Sequence, residues 1–143
     1  MSRERFLPVL RELVRCYQAF ELRSGRHVRE LGLTPAQFDI IVTLGNTPGM
    51  SCGELGERTL ITKGTLTGVI DRLEDKGLVV RETSQQDRRS IFVKLTQLGE
   101  HMFEQVFPAH LAHLRQGFEQ FDDTELAGFR EMLAQLKTAF PNP

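Results

Sequence analysis

The sequence predicts a mainly α-helical fold with one small β-ribbon, on three observations. Apolar residues recur at three- and four-residue steps through most of the 143 residues, which is the period of an amphipathic helix. Two short runs, Leu78–Thr83 and Ser90–Leu95, read instead as strands, with Ile91, Val93 and Leu95 alternating onto one face. No βαβ rhythm, internal repeat or low-complexity tract interrupts the pattern. At 40% apolar the chain suits one core, so residues 1–143 are expected to form a single domain.

Taken in order, Arg5 to Leu31 reads as one long helix. Phe6, Leu10, Leu13, Tyr17, Phe20, Ser24, His27 and Leu31 follow alternating steps of four and three, a seam. A seam this long exceeds what one small domain covers, so part of it is expected to meet a partner chain. The alternative is a helix laid across its own core. Thr34-Pro35-Ala36-Gln37 is a capping box with Pro at the first helical position, and Phe38, Ile41 and Leu44 then face the core. Asn46-Thr47-Pro48-Gly49 ends that helix in a turn. Ser51-Cys52-Gly53-Glu54 opens the next short helix in the same way, burying Leu55.

Gly49 to Gly53 also spells the G-x-S-x-G nucleophile elbow. An elbow needs a buried strand before it and an α/β sheet around it. A helix and a Pro-Gly turn precede it here, so Ser51 is expected to be an N-cap. No triad, phosphate loop or metal cluster appears elsewhere, and no catalytic residue or cofactor is assigned.

The most informative stretch is Thr62 to Leu95. Thr62 is placed to cap a helix whose Leu66, Val69, Ile70 and Leu73 form one apolar stripe. The other face carries Lys63, Gly64, Thr65, Thr67, Gly68, Asp71 and Arg72. Short side chains let a helix sit deep in a DNA major groove, where Thr and Lys meet base edges or phosphates. A helix-interior Gly costs about 1 kcal/mol relative to Ala, which close approach to another surface would explain. The plain alternative is an ordinary solvated face. Gly77 stops the helix. The hairpin tip, Ser84-Gln85-Gln86-Asp87-Arg88-Arg89, sets two guanidinium groups where a minor groove attracts them, with Asp87 as brace. Net charge is −1 overall, yet residues 58–94 hold eight basic against five acidic side chains. That local excess on an acidic body is an electrostatic footprint for a polyanion.

Beyond Leu95, Thr96 is placed to cap a helix running to about Phe118. Its stripe is Phe103, Phe107, Leu111, Leu114 and Phe118, and Pro108 should kink or break it. Asp122-Asp123-Thr124-Glu125 starts a last helix, with Leu126, Phe129, Leu133, Leu136 and Phe140 as its apolar face. Met1 is followed by charged Arg3-Glu4-Arg5, and no apolar run approaches bilayer length. A cytoplasmic protein without membrane contact is expected, with Cys16 and Cys52 as free thiols.

The run TLITKGTLTGVIDRLEDKGLVVRETSQQDRRSIFVKLTQLGE resembles the winged helix-turn-helix signature of the MarR family of bacterial transcription regulators. It shows a recognition helix ending in a DRLE-K-GLV-R pattern, a wing carrying DRR, and a closing strand running into LT-x-x-G. Helix order on both sides also fits, so the resemblance covers nearly the whole chain. It departs at Gly68, where many members carry Arg, and at Gln85-Gln86, where Asp-Pro is common.

The resemblance implies a winged helix-turn-helix in the order helix, helix, short strand, helix, helix, strand, wing, strand, helix, helix. Residues 34–95 would form the DNA-binding lobe, and residues 1–33 and 96–143 a helical dimerisation region. It implies a homodimer reading double-stranded DNA at a pseudo-palindromic operator, as a ligand-responsive repressor. Thr62, Lys63, Gly64, Thr65, Thr67, Gly68 and Arg72 would face the major groove or its phosphates. Arg88 and Arg89, braced by Asp87, would enter the minor groove. By analogy with members that release DNA on binding a small amphiphilic or phenolic anion, Phe20, Arg23, His27 and Phe38 are effector-pocket candidates.

Thiol-redox and zinc sensors also occur in the family. Cys16 falls late for a sensing thiol and is expected to be buried and inert. His101, His110 and His113 lack a Cys pair to complete a metal site. The reading outside transcription is a helical interaction adaptor, which leaves DRR, Gly64 and Gly68 without a purpose.

Overall fold

A computed structural model describes residues 4–83 and 91–141. The hairpin tip at 84–90, where Asp87, Arg88 and Arg89 fall, lies outside the described residues. Local signals set most element boundaries. Thr34 Oγ1 accepts from the Gln37 N–H at 3.1 Å, and Gln37 Oε1 accepts from the Thr34 N–H at 3.2 Å. That reciprocal box opens α2 (Pro35–Leu44) behind the long α1 (Leu7–Glu30). Ser51 Oγ accepts from the Glu54 N–H at 3.1 Å and caps α3 (Cys52–Arg58), so Ser51 is the expected N-cap rather than a nucleophile. Next comes α4 (Lys63–Asp75). It ends at Gly77, whose φ of +75° permits the paired closing bonds Gly77 N–H to Glu74 O and Leu78 N–H to Leu73 O.

Three short strands follow from this chain path: β1 (Met50–Ser51), β2 (Val79–Thr83) and β3 (Ile91–Leu95). They form an antiparallel sheet in the order β1-β3-β2, with Met50 opposite Val93 and Arg81 opposite Val93 on the other side. Thr96 Oγ1 accepts from the Gly99 N–H at 3.0 Å at the head of α5 (Gln97–Phe118). Its hydroxyl also donates to Gly77 O at 2.6 Å, tying the end of α4 to the start of α5. Gly99 is there because a Cβ would overlap the Leu78 carbonyl.

The chain divides into two compact units, Met1–His110 and Leu111–Pro143. The first holds the core: Ile40, Ile41 and Leu44 of α2, Leu55 of α3, Leu66, Val69, Ile70 and Leu73 of α4, Val79, Val93 and Leu95 of the sheet, and Phe103 and Val106 of α5. Ile40 is completely buried, and Phe38 is half-buried and packed against the core. The N-terminal part of the α1 seam stays open in the single chain: Phe6, Leu10, Leu13, Tyr17 and Phe20 are all exposed. In the second unit α6 (Asp123–Thr138) starts from a complete Asp122–Glu125 capping box and buries none of its residues.

Three expectations need correction. Of the kink or break expected at Pro108, the break is absent: α5 runs through it to Phe118. Thr62 stands at the N-cap position of α4, but its hydroxyl caps no backbone N–H. It donates to Thr65 Oγ1 at 3.0 Å instead. Cys16, expected to be buried, is exposed on α1.

Candidate nucleic-acid interface

The apolar stripe of α4 fixes which way the helix faces. With Leu66, Val69, Ile70 and Leu73 buried, Thr62, Lys63, Gly64, Thr65, Thr67, Gly68, Asp71 and Arg72 are all left exposed. The structure thus gathers the helix residues named from sequence onto one surface. Lys63 and Arg72 make no ion pair among the described residues. Neither Gly64 nor Gly68 has a positive φ, and a Cβ on either would meet nothing within 4 Å. Among the described residues nothing requires glycine at either position.

The turn leading into α4 is held rather than loose. The Leu60 N–H donates to Asp39 Oδ2 of α2 at 2.9 Å, and Thr59 Oγ1 donates to Leu55 O at 2.8 Å. At the other end, Lys76 Nζ donates to Gln37 Oε1 at 3.2 Å. Both ends of the second helix of the helix-turn-helix are therefore anchored to α2.

Arg81 of β2, the arginine that closes the DRLE-K-GLV-R pattern but to which the sequence assigns no role, grips α4 from the side. Its Nη2 donates to Asp71 Oδ1 at 2.6 Å and its Nη1 to Glu74 Oε1 at 2.9 Å. Nη2 also lies 3.4 Å from Thr67 O, and the Arg81 N–H donates to Glu74 Oε2 at 3.2 Å. Partial burial alone lowers a guanidinium pKa, but the hydrogen bonds and charges of Asp71 and Glu74 outweigh it, so the Arg81 pKa is raised. Asp71, Glu74 and Arg81 all stand in the DRLE-K-GLV-R pattern, but their pairing depends on the turn at Gly77. On the ribbon itself, Lys94 pairs with Glu82 at 2.9 Å.

Of the four effector candidates, the structure brings two together around a residue named for another reason. His110 Nδ1 lies 2.9 Å from His27 Nδ1, His110 Nε2 lies 3.0 Å from Ser24 Oγ, and the Phe38 ring meets the His110 ring edge-on at 4.7 Å. One imidazole donates and the other accepts in the His27–His110 bond. Phe20 and Arg23 stand exposed on α1. No group of three or more His, Cys, Asp or Glu residues is placed to hold a metal among the described residues.

A helix-turn-helix backed by a three-stranded antiparallel sheet, with an exposed second helix, defines the winged helix-turn-helix class of DNA-binding proteins. Residues 31–90 match the model of the MarR family. Among curated relatives, the chain is 28% identical to the HTH-type transcriptional regulator MhqR of Bacillus subtilis, over 93% of this chain and 92% of that one. It is 32% identical to the uncharacterised HTH-type regulator YsmB of the same species, over 80% of each.

Its fold superposes on that of AbsC, a MarR family regulator from Streptomyces coelicolor, with a TM-score of 0.87 and 25% identity, covering 97% and 96% of the two chains. Two neighbours at 24% identity share the fold. One is a mutant MarR from E. coli complexed with operator DNA, with a TM-score of 0.80 and coverage of 94% and 99%. The other is BpsR of Bordetella bronchiseptica, whose DNA binding is regulated by 6-hydroxynicotinic acid, with a TM-score of 0.83 and coverage of 96% and 98%. The chain belongs to the MarR family: it is a transcriptional regulator with a DNA-binding winged helix, not an enzyme.

Proposed function

We propose that this protein is a cytoplasmic, ligand-responsive repressor that binds a pseudo-palindromic operator as a homodimer. The observation that carries the DNA reading is the exposed face of α4, where Lys63, Thr65 and Thr67 stand beside two glycines that the fold does not need. In this reading Thr62, Lys63, Thr65 and Thr67 meet base edges or nearby phosphates, Gly64 and Gly68 let the backbone come close, and Arg72 holds the sugar-phosphate backbone. Arg88 and Arg89, with Asp87 as brace, take the adjoining minor groove.

The homodimer is supported by apolar surface that the single chain leaves open. On α1 this is Phe6, Leu10, Leu13, Tyr17 and Phe20; on α6 it is Phe129, Met132 and Leu133. Contiguous exposed apolar surface of this kind marks interfaces. The effector is a small amphiphilic or phenolic anion, and the part-buried group of Ser24, His27, Phe38 and His110 is the candidate place for it, with Phe20 and Arg23 on the same helix. Such a ligand would act by preferring one dimer geometry over another.

The test is fluorescence anisotropy with a duplex selected from a randomised pool, alongside a scrambled duplex, across a salt titration. The proposal expects preferential, steeply salt-dependent binding of the selected duplex. Equal and weak binding of both would favour the adaptor reading.

A further inference from the structure

We infer that Arg81, a residue of β2, is a charge-shielding residue of the DNA interface: it offsets part of the charge of Asp71 and Glu74, which otherwise set two negative charges on the helix face that meets DNA. The inference rests on the DNA-binding reading above and adds a role to a residue outside the recognition helix. Lys63, Thr67, Asp71 and Glu74 follow steps of four, four and three along α4, so they lie along one exposed stripe. That stripe begins with a cation suited to phosphate and ends with two carboxylates unsuited to it. Left alone, it would carry a net negative charge towards a polyanion.

The geometry supplies the remedy. One guanidinium reaches both carboxylates, at 2.6 Å and 2.9 Å, and touches the Thr67 carbonyl at 3.4 Å. Both carboxylates remain open to solvent, with Asp71 57% and Glu74 40% exposed in their side chains, so neither is being used to fill the core. The Arg81 side chain is 23% exposed, so the cation is more enclosed than the two carboxylates it holds. A planar fork with five donors can hold two carboxylates at once, which a single ammonium point charge does less well.

A brace and a shield make opposite predictions for the same variant. If Arg81 only held the ribbon against α4, removing its acidic partners would weaken DNA binding as removing Arg81 does. If it shields, the Asp71→Asn/Glu74→Gln variant keeps the cation and loses the repulsion, and it binds more tightly than the parent chain.

The experiment measures affinity of the full chain for one selected duplex, at low and moderate salt, for parent, Arg81→Gln, Asp71→Asn/Glu74→Gln, the combined triple variant and Arg81→Lys. Urea unfolding of each reports folding separately. The expected result is about a tenfold loss for Arg81→Gln at low salt, shrinking as screening rises. Asp71→Asn/Glu74→Gln should gain affinity, and the triple variant should return to within a few-fold of the parent although no ion pair has been restored. Arg81→Lys should retain most of the affinity because it retains the charge. Weaker binding by Asp71→Asn/Glu74→Gln, or no recovery in the triple variant while both stay folded, overturns the shield. A parent chain that binds no duplex overturns the interface reading itself.

Discussion

Replacing Gly64 and Gly68 by Ala should make the protein more stable and worse at binding DNA. Gly68 lies in the interior of α4, where Ala is favoured by about 1 kcal/mol; Gly64, in the first turn, adds a smaller fraction. No steric term opposes the gain, because a Cβ at either position meets nothing within 4 Å and neither residue has a positive φ. The sum is about 1–1.5 kcal/mol, or about 3–5 °C in Tm for a chain of this size. On DNA the same methyl groups stand where the helix must approach most closely. Affinity for a selected duplex should fall at least about tenfold, roughly 1.4 kcal/mol. Urea unfolding and anisotropy on the same preparations read both quantities. Higher stability with undiminished affinity would show that the glycines do not serve close approach. Lower stability would show that the α4 surface is not open in the way described.

Other outcomes follow from the same structure. Gly99→Ala should destabilise the fold by about 1–3 kcal/mol, because its Cβ overlaps the Leu78 carbonyl at the junction of the sheet with α5, and urea unfolding checks it. Leu10→Glu together with Leu13→Glu should leave the chain folded, since both residues are exposed in it, yet sediment with the mass of one 16.3 kDa chain rather than two. A parent protein already sedimenting as a single chain would contradict the dimer. Arg89→Ala should weaken DNA binding and reduce the slope of log K against log salt by about 0.9 for each phosphate no longer neutralised. Unchanged affinity across a salt titration would remove the wing from the interface.

What was legible in the sequence was local. The capping boxes at Thr34–Gln37 and Asp122–Glu125, the stop at Gly77 and the buried stripe of α4 each depend on residues within a turn or two, and each stands where the spacing put it. The features that escaped depend on chain path. Arg81 reaches Asp71 and Glu74 only after the chain reverses at Gly77. His110 meets His27 across 83 positions, which no periodicity reveals. Ile40 joins Ile41 and Leu44 in the core beyond the expected set, because α2 has apolar residues on more than one side and pattern alone leaves its inward direction undecided. Among the candidate DNA-facing residues, those of the helix could be gathered onto one face from the 3.6-residue period, whereas Thr62 turned its hydroxyl to Thr65 instead of to a backbone N–H.

The most direct test of the central claim is a hydroxyl-radical footprint of the full-length protein on a selected duplex. A dimer presenting two α4 helices with flanking wings predicts two equivalent protected segments with centres about one helical turn apart, each bordered by protection of the neighbouring minor groove. A single unpaired patch, or protection spread evenly along the duplex, would contradict it.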